Sequence, residues 1–266
     1  RIQAGVSSTA TASAADPLLS AQADAEAAGL KALASSTLTG SLSSAKVALV
    51  VLPGASDDDV TAIRSTLTDA GASIVGRVTL TDNWHSSSMS QYRTTLSTTL
   101  ASHLASGAAK TASADGVVGY SIVQVLTTTG AETDLLRQIL SDESTPIMTV
   151  DEDANGGATA IVAVGPRAQA TAASNATPAA VTQSSEAWVG LGQALGSTNG
   201  VLVGDASTRD AMISQVRASG VTVTTVDSVG TTLAAVDTAL ALSSPATTVR
   251  AFGVGTGAQS VIPSVK

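Results

Sequence analysis

Apolar and polar positions along this chain switch between two rhythms. Residues 46–52 (KVALVVL) form an almost unbroken apolar run, the mark of a strand buried on both faces. Over residues 56–70 the period changes. Val60, Ile63 and Leu67 fall on one side of a predicted helix, and Gly71 ends it. Residues 72–80 (ASIVGRVTL) resume as a strand. Strand, helix, strand in that order predicts parallel pairing through a right-handed crossover. The succession returns in residues 200–203 (GVLV), 207–219 and 221–226 (VTVTTV). Met212, Ile213 and Val216 face inward on that helix, and Gly220 closes it. The predicted fold is α/β and Rossmann-like, a mostly parallel sheet built from two similar strand-helix-strand halves.

Further helices are predicted at 89–106, 115–126, 133–140, 186–195 and 232–242, with strands at 146–150 and 158–164. Residues 1–15 are rich in Ser, Thr and Ala and read as a flexible segment. From Asp16-Pro17 onward, Leu18, Leu19, Ala23, Leu30 and Leu33 make a thin stripe for a peripheral, stalk-like helix, which Gly29 weakens. The chain therefore divides into 1–45, flexible segment and stalk-like helix, and 46–266, the α/β domain. Residues 167–185 read as a polar connection, and the tail after Arg250 as irregular.

Composition narrows the function. The net charge is -8 over 266 residues, so no basic field exists to hold a phosphate backbone, and nucleic acid is not an expected partner. There is no cysteine, which removes disulfides, thiolate metal sites and cysteine nucleophiles together. Mean hydropathy is +0.29, yet no run approaches the ~18 apolar residues of a spanning helix. One Phe, two Trp and two Tyr cannot furnish the aromatic girdles of a membrane barrel. The chain opens on Arg1 rather than Met, which leaves room for a lost signal or anchor.

Candidate chemistry is sparse. Ser56 followed by Asp57, Asp58 and Asp59 reads as S-x-x-D, a capping-box-like helix start with acids in the first turn. Ser207-Thr208-Arg209-Asp210 repeats it. These acids would repel phosphate at the first crossover, and no G-x-G-x-x-G is present, so nucleotide-dependent chemistry is disfavoured. Asp151, Asp153 and Asn155 match the first half of a calcium loop, but Val162 stands where the bidentate Glu belongs. The alternative is an acidic turn, with Asn155-Gly156 as a hairpin turn. His85 and Met89 share a face if helical and are candidate copper ligands. His103, Met148 and Met212 are the other imidazole and thioether groups. Trp84, His85 and Tyr92 form the densest aromatic cluster, either core or a partner-binding anchor. No G-x-S-x-G elbow or other catalytic constellation appears, so no enzyme activity and no cofactor are expected. Asn175-Ala176-Thr177 is a formal glycosylation sequon.

The block KVALVVLPGASDDDVTAIRSTLTDAGASIVGRVTLTDNW, residues 46–84, resembles the start of the actinobacterial MctB/SteB family. It shares a strand, P-G-A-x-x-x-D-V, a helix, and A-G-A-x-V-x-G-x-V-x-L-T-D. A looser, collinear likeness runs to residue 266. The resemblance implies an extracytoplasmic domain held at the cell membrane by an N-terminal anchor and coiled-coil stalk. It implies one of two functions. The first is a non-catalytic regulator of SteB type, forming a homodimer and working with a SteA-like membrane protein. Such a regulator promotes septal peptidoglycan hydrolysis by a RipA-like, NlpC-type hydrolase. The alternative is copper export or copper handling in the cell envelope. The missing barrel signature and few soft ligands favour the regulator.

Overall fold

In the computed structural model, residues 17–168, 183–245 and 248–264 are described. The predicted flexible segment 1–15, most of the connection 167–185 and the sequon lie outside them. Helix α1 (Pro17–Leu38) comes first, then β1 (Lys46–Val51), α2 (Asp57–Asp69) and β2 (Ser73–Leu80). A helical excursion follows: α3 (Asp82–His85), α4 (Ser90–His103), α5 (Gly107–Lys110), α6 (Ala114–Thr127) and α7 (Ala131–Leu140). The chain then runs through β3 (Met148–Glu152), β4 (Ala160–Val164), α8 (Ser185–Gly196), β5 (Gly200–Val203) and α9 (Met212–Ala218). It closes with β6 (Thr224–Val226), α10 (Thr232–Ser243) and β7 (Ala251–Phe252).

The seven strands form one sheet in the order β3-β2-β1-β4-β5-β6-β7. All neighbours are parallel except β2 and β3. This is the mixed α/β, Rossmann-like architecture that the strand-helix-strand units predict. The period-2 geometry of β1 explains its unbroken apolar run. Ala48, Val50 and Leu52 enter one core with α4, α6, α7, α8 and α9. Val47, Leu49 and Val51 enter the other, with α1, α2 and α10. Both faces are covered, so both registers must be apolar.

Two differences from the sequence reading have local causes. The tail after Arg250 supplies a seventh strand, β7, too short to carry a period. The second S-x-x-D does not start its helix: α9 begins at Met212, with Ala211 extended before it. Asp205 instead takes Ser207, accepting from its backbone N at 2.8 Å and its Oγ at 3.0 Å. That turn consumes the serine the cap would need.

Over its first three turns α1 is largely exposed, Leu18 and Leu19 included. Only its later half joins the body, through Ala34 and Leu38. Leu42 beyond it is also buried.

Asp237 of α10 is fully buried, and among the described residues neither carboxylate oxygen has a hydrogen-bond partner. Burial pushes its pKa up from 3.8 to about 8, and the negative charge of Asp227 adds to the rise. The folded chain keeps a proton there that the unfolded chain releases, so this site makes stability fall as pH climbs from 3.8 to about 8. Asp237→Asn is expected to gain on the parent across that window, by up to about 1.4 kcal/mol per pH unit. Urea unfolding at successive pH values reads this directly, and a difference that does not change with pH would contradict it.

Candidate functional site

The strand order reverses direction between β1 and β4. From β1 the chain crosses to β2 on one side, and from β4 it crosses to β5 on the other. The loops leaving these two strands therefore diverge, and a crevice opens beyond their carboxyl ends. It encloses about 560 Å³. Pro53-Gly54 line it after β1 and Pro166-Arg167 after β4. Asp82 and His85 stand on the β2 side. Asp205, Asp210 and Met212 stand on the β5 side, and Trp188 comes from α8.

His85 is held from several directions. Its ring stacks on Trp84, with centroids 5.8 Å apart and planes 22° apart. Its carbonyl accepts from the Ser184 backbone N at 2.7 Å, tying α3 to the start of α8. Arg93 of α4 donates from Nη1 to the carbonyls of Asn83, at 3.2 Å, and Ser86, at 2.7 Å, so it brackets His85. Arg93 is in turn fixed by Asp115 of α6, which accepts from Nε at 2.5 Å. Among the described residues, Nδ1 of His85 is buried without a hydrogen-bond partner. Burial lowers the imidazole pKa; the charge and backbone of Asp82 oppose this, and Arg93 adds to it. Burial thus favours the neutral ring over the charged one.

Trp84 is 1% exposed and His85 3%. The aromatic cluster is thus wall and core, not a surface anchor for a partner. Tyr92 packs against it half-buried and donates its hydroxyl to the Thr145 carbonyl at 3.1 Å. The reason is position: the short α3 turns inward under α4, and the excursion needs large side chains to fill its core.

The His85/Met89 pairing needs a continuous helix, and the structure breaks it. Ser86 is extended (φ -63, ψ 131), and Met89 lies in a separate 3₁₀ turn. The thioether that shares the crevice with His85 is Met212. Met148 is buried in the core, and His103 pairs with Glu132.

The acidic loop also departs from its expected form. Asn155 and Gly156 both have left-handed backbone (φ 48 and 66), as a tight turn requires. The flanking strands are not neighbours, however, because β2 and β1 lie between β3 and β4. The turn is therefore a crossover corner and not a hairpin. Its carboxylates are used separately. Asp151 accepts from Thr79 Oγ1 at 2.6 Å and pairs with Arg77 at 3.4 Å. Asp153 pairs with Arg137 at 3.4 Å and accepts from the Asn155 backbone N at 2.8 Å. Among the described residues, no three His, Asp or Glu side chains converge as a metal site.

The three aspartates at α2 divide their roles. Ser56 occupies the N-cap position but makes no side-chain cap bond. Asp57 and Asp58 are exposed in the first turn, where the helix dipole favours them. Asp59 is buried, and both its oxygens take Arg167, from Nε at 2.7 Å and Nη2 at 2.6 Å. A bidentate guanidinium outcompetes a single cap bond for a buried carboxylate. This pair pins the end of β4 to α2 and neutralises Arg167 at the crevice edge.

A second buried pair clasps the C-terminal segment. Asp227, just past β6, accepts from Arg217 Nη1 at 2.9 Å, Val254 N at 2.8 Å, Gly255 N at 2.9 Å and Ser228 Oγ at 2.7 Å. Arg217 also donates to the carbonyls of Phe252 and Thr256, each at 2.9 Å. Gly253, at φ +120, passes so close that a Cβ there would lie 2.1 Å from Asp227 Oδ1. Arg167, Trp188, Asp205 and Asp227 were not singled out by motif. The acids among them share a positional signal with Asp82: Asp82, Asp205 and Asp227 each follow the carboxyl end of a parallel strand by one or two residues.

Among the described residues, no helix is long and apolar enough to cross a membrane. No curated protein matches the sequence. One family model covers almost its whole length, and it agrees with the resemblance carried by residues 46–84. The chain belongs to the MctB family, described as copper transport outer membrane protein, whose model matches residues 6–263.

Proposed function

We propose that this chain is a copper-handling protein of the cell envelope, with copper(I) as cargo held in the switch-point crevice. The observation that carries this reading is that His85 and Met212 both line it. A neutral imidazole and a thioether are ligand types that copper(I) accepts. The family description points the same way, and that family is not one of known enzymes. The test is titration of the metal-free chain with copper(I) against a competing chelator. His85→Asn and Met212→Leu are each expected to weaken binding by about tenfold or more, roughly 1.4 kcal/mol. Parent and variants that bind alike, or no tighter than a buffer control, would overturn the reading.

A second reading, that of an extracytoplasmic regulator, is favoured by α1. Its first half is largely exposed, as a stalk's would be. On this reading the domain, as a homodimer, engages a SteA-like membrane protein and a RipA-like peptidoglycan hydrolase. Recovery of these from envelope extract, equal with and without copper(I), would favour it over copper handling.

A further inference from the structure

We propose that the space between α1 and α2 holds one extended hydrocarbon chain, the acyl tail of a fatty acid or of a lipid. α1 and α2 each pack on α10 and scarcely on each other. A cavity of about 430 Å³ is left between them, within the range of small-molecule sites. α10 provides its floor through Ala234, Ala235 and Val236, all buried. Ala34 and Leu38 of α1 form one wall, and Ala62, Ile63 and Thr66 of α2 the other. Hydroxyls along the walls turn to their own helices. Ser35 Oγ donates to the Lys31 carbonyl at 2.8 Å, and Thr66 Oγ1 to the Ala62 carbonyl at 3.0 Å. Arg167 and Asp59, which also line the cavity, match each other's charge. Lys31, Asp58 and Asp69 are exposed, with their charges in water. The interior is therefore uncharged and apolar, which suits a hydrocarbon.

Two observations choose a chain over a polypeptide. Floor and walls are helices, whose backbone groups bond internally. A peptide strand laid among them would bury its own N–H and C=O groups without partners, and a hydrocarbon has none to satisfy. The cavity is also narrow. It follows α2 from Asp58 to Asp69, about 16 Å of helix. Its mean cross-section is then about 26 Å², against about 80 Å² for a helix 10 Å across. Among their lining residues, the cavity and the crevice share only Arg167, and this inference does not depend on the copper reading.

The acyl chain has two possible sources, a free fatty acid or a membrane lipid. Calorimetric titration of the full chain would use laurate and lauroyl lysophosphatidylcholine, each below its critical micelle concentration. Tetraethylene glycol, a linear chain without a hydrocarbon run, is the control. At least one amphiphile is expected to bind more tightly than the glycol. Laurate should exceed decanoate about tenfold, because two more methylene groups are buried. Tighter binding of laurate identifies a free fatty acid as the source, and tighter binding of the lysolipid identifies a membrane lipid. Ala62 and Thr68 are both exposed on α2, but only Ala62 lines the cavity. Ala62→Trp fills the space and is expected to weaken binding about tenfold or more. Thr68→Trp adds the same indole outside it and should bind as the parent does. If neither amphiphile binds better than the glycol, or the two variants behave alike, the proposal falls.

Discussion

Replacing Arg93 with methionine is expected to cost about 3–5 kcal/mol of folding stability, because it strands a buried carboxylate. The Arg93 side chain is 0% exposed and that of Asp115 9%. Methionine fills much of the volume but cannot neutralise Asp115. It also leaves the Asn83 and Ser86 carbonyls without their donor. The damage should reach the crevice, since those carbonyls flank His85. Urea unfolding measures the loss. The double variant Arg93→Met with Asp115→Leu should recover much of it, because removing both charges avoids an uncompensated ion. A single variant within about 0.5 kcal/mol of the parent would show that the pair contributes little.

Asp227→Ala is expected to cost a similar amount, about 3–5 kcal/mol, with a more local signature. Arg217 and Asp227 side chains are 8% and 1% exposed, so the guanidinium would be left buried and unmatched. The backbone N–H groups of Val254 and Gly255 would lose their acceptor together. β7 is only two residues long, and without the clasp little holds it on the sheet edge. Hydrogen exchange should therefore speed up first at Val254 and Gly255, and limited proteolysis should cut near them before the body unfolds. Burial pushes the Asp227 pKa up, but the bonds from Ser228, Val254, Arg217 and Gly255 outweigh it and hold the group below the usual carboxylate value. The contribution of this site is thus complete above the ordinary value of 3.8 and is lost as pH falls through the lower folded value. The variant should lack that acid-side loss. It should also bring the pKa of Asp237 down, since the Asp227 charge helps to raise it.

The crossovers were legible because burial on one or both faces leaves a period in the chain. KVALVVL could only be a central strand, and Val60, Ile63 and Leu67 could only be one helix face. The antiparallel placement of β3 was not legible. Its residues pair with β2 through backbone bonds that any side chain permits, and the turn at Asn155-Gly156 serves a crossover as well as a hairpin. The S-x-x-D motifs misled for a related reason. A cap depends on what else competes for the serine and the acid: Asp205, two residues before it, takes Ser207, and Arg167, brought in by the fold, takes Asp59.

For function the division is sharper. Composition alone established the net negative charge, the lack of thiols and the scarcity of soft ligands, and the block at residues 46–84 carried the family. All of these reside in residue identity and local order. Which histidine, which methionine and which acids share a cleft followed only from strand order. β1 and β4 are adjacent in the sheet but separated in the chain by the whole excursion from α2 to β3. Their carboxyl ends gather His85, Trp188, Asp205 and Met212 from four different elements and loops. No local pattern encodes that gathering, because it arises from long-range pairing that becomes favourable only when both hydrophobic cores close together.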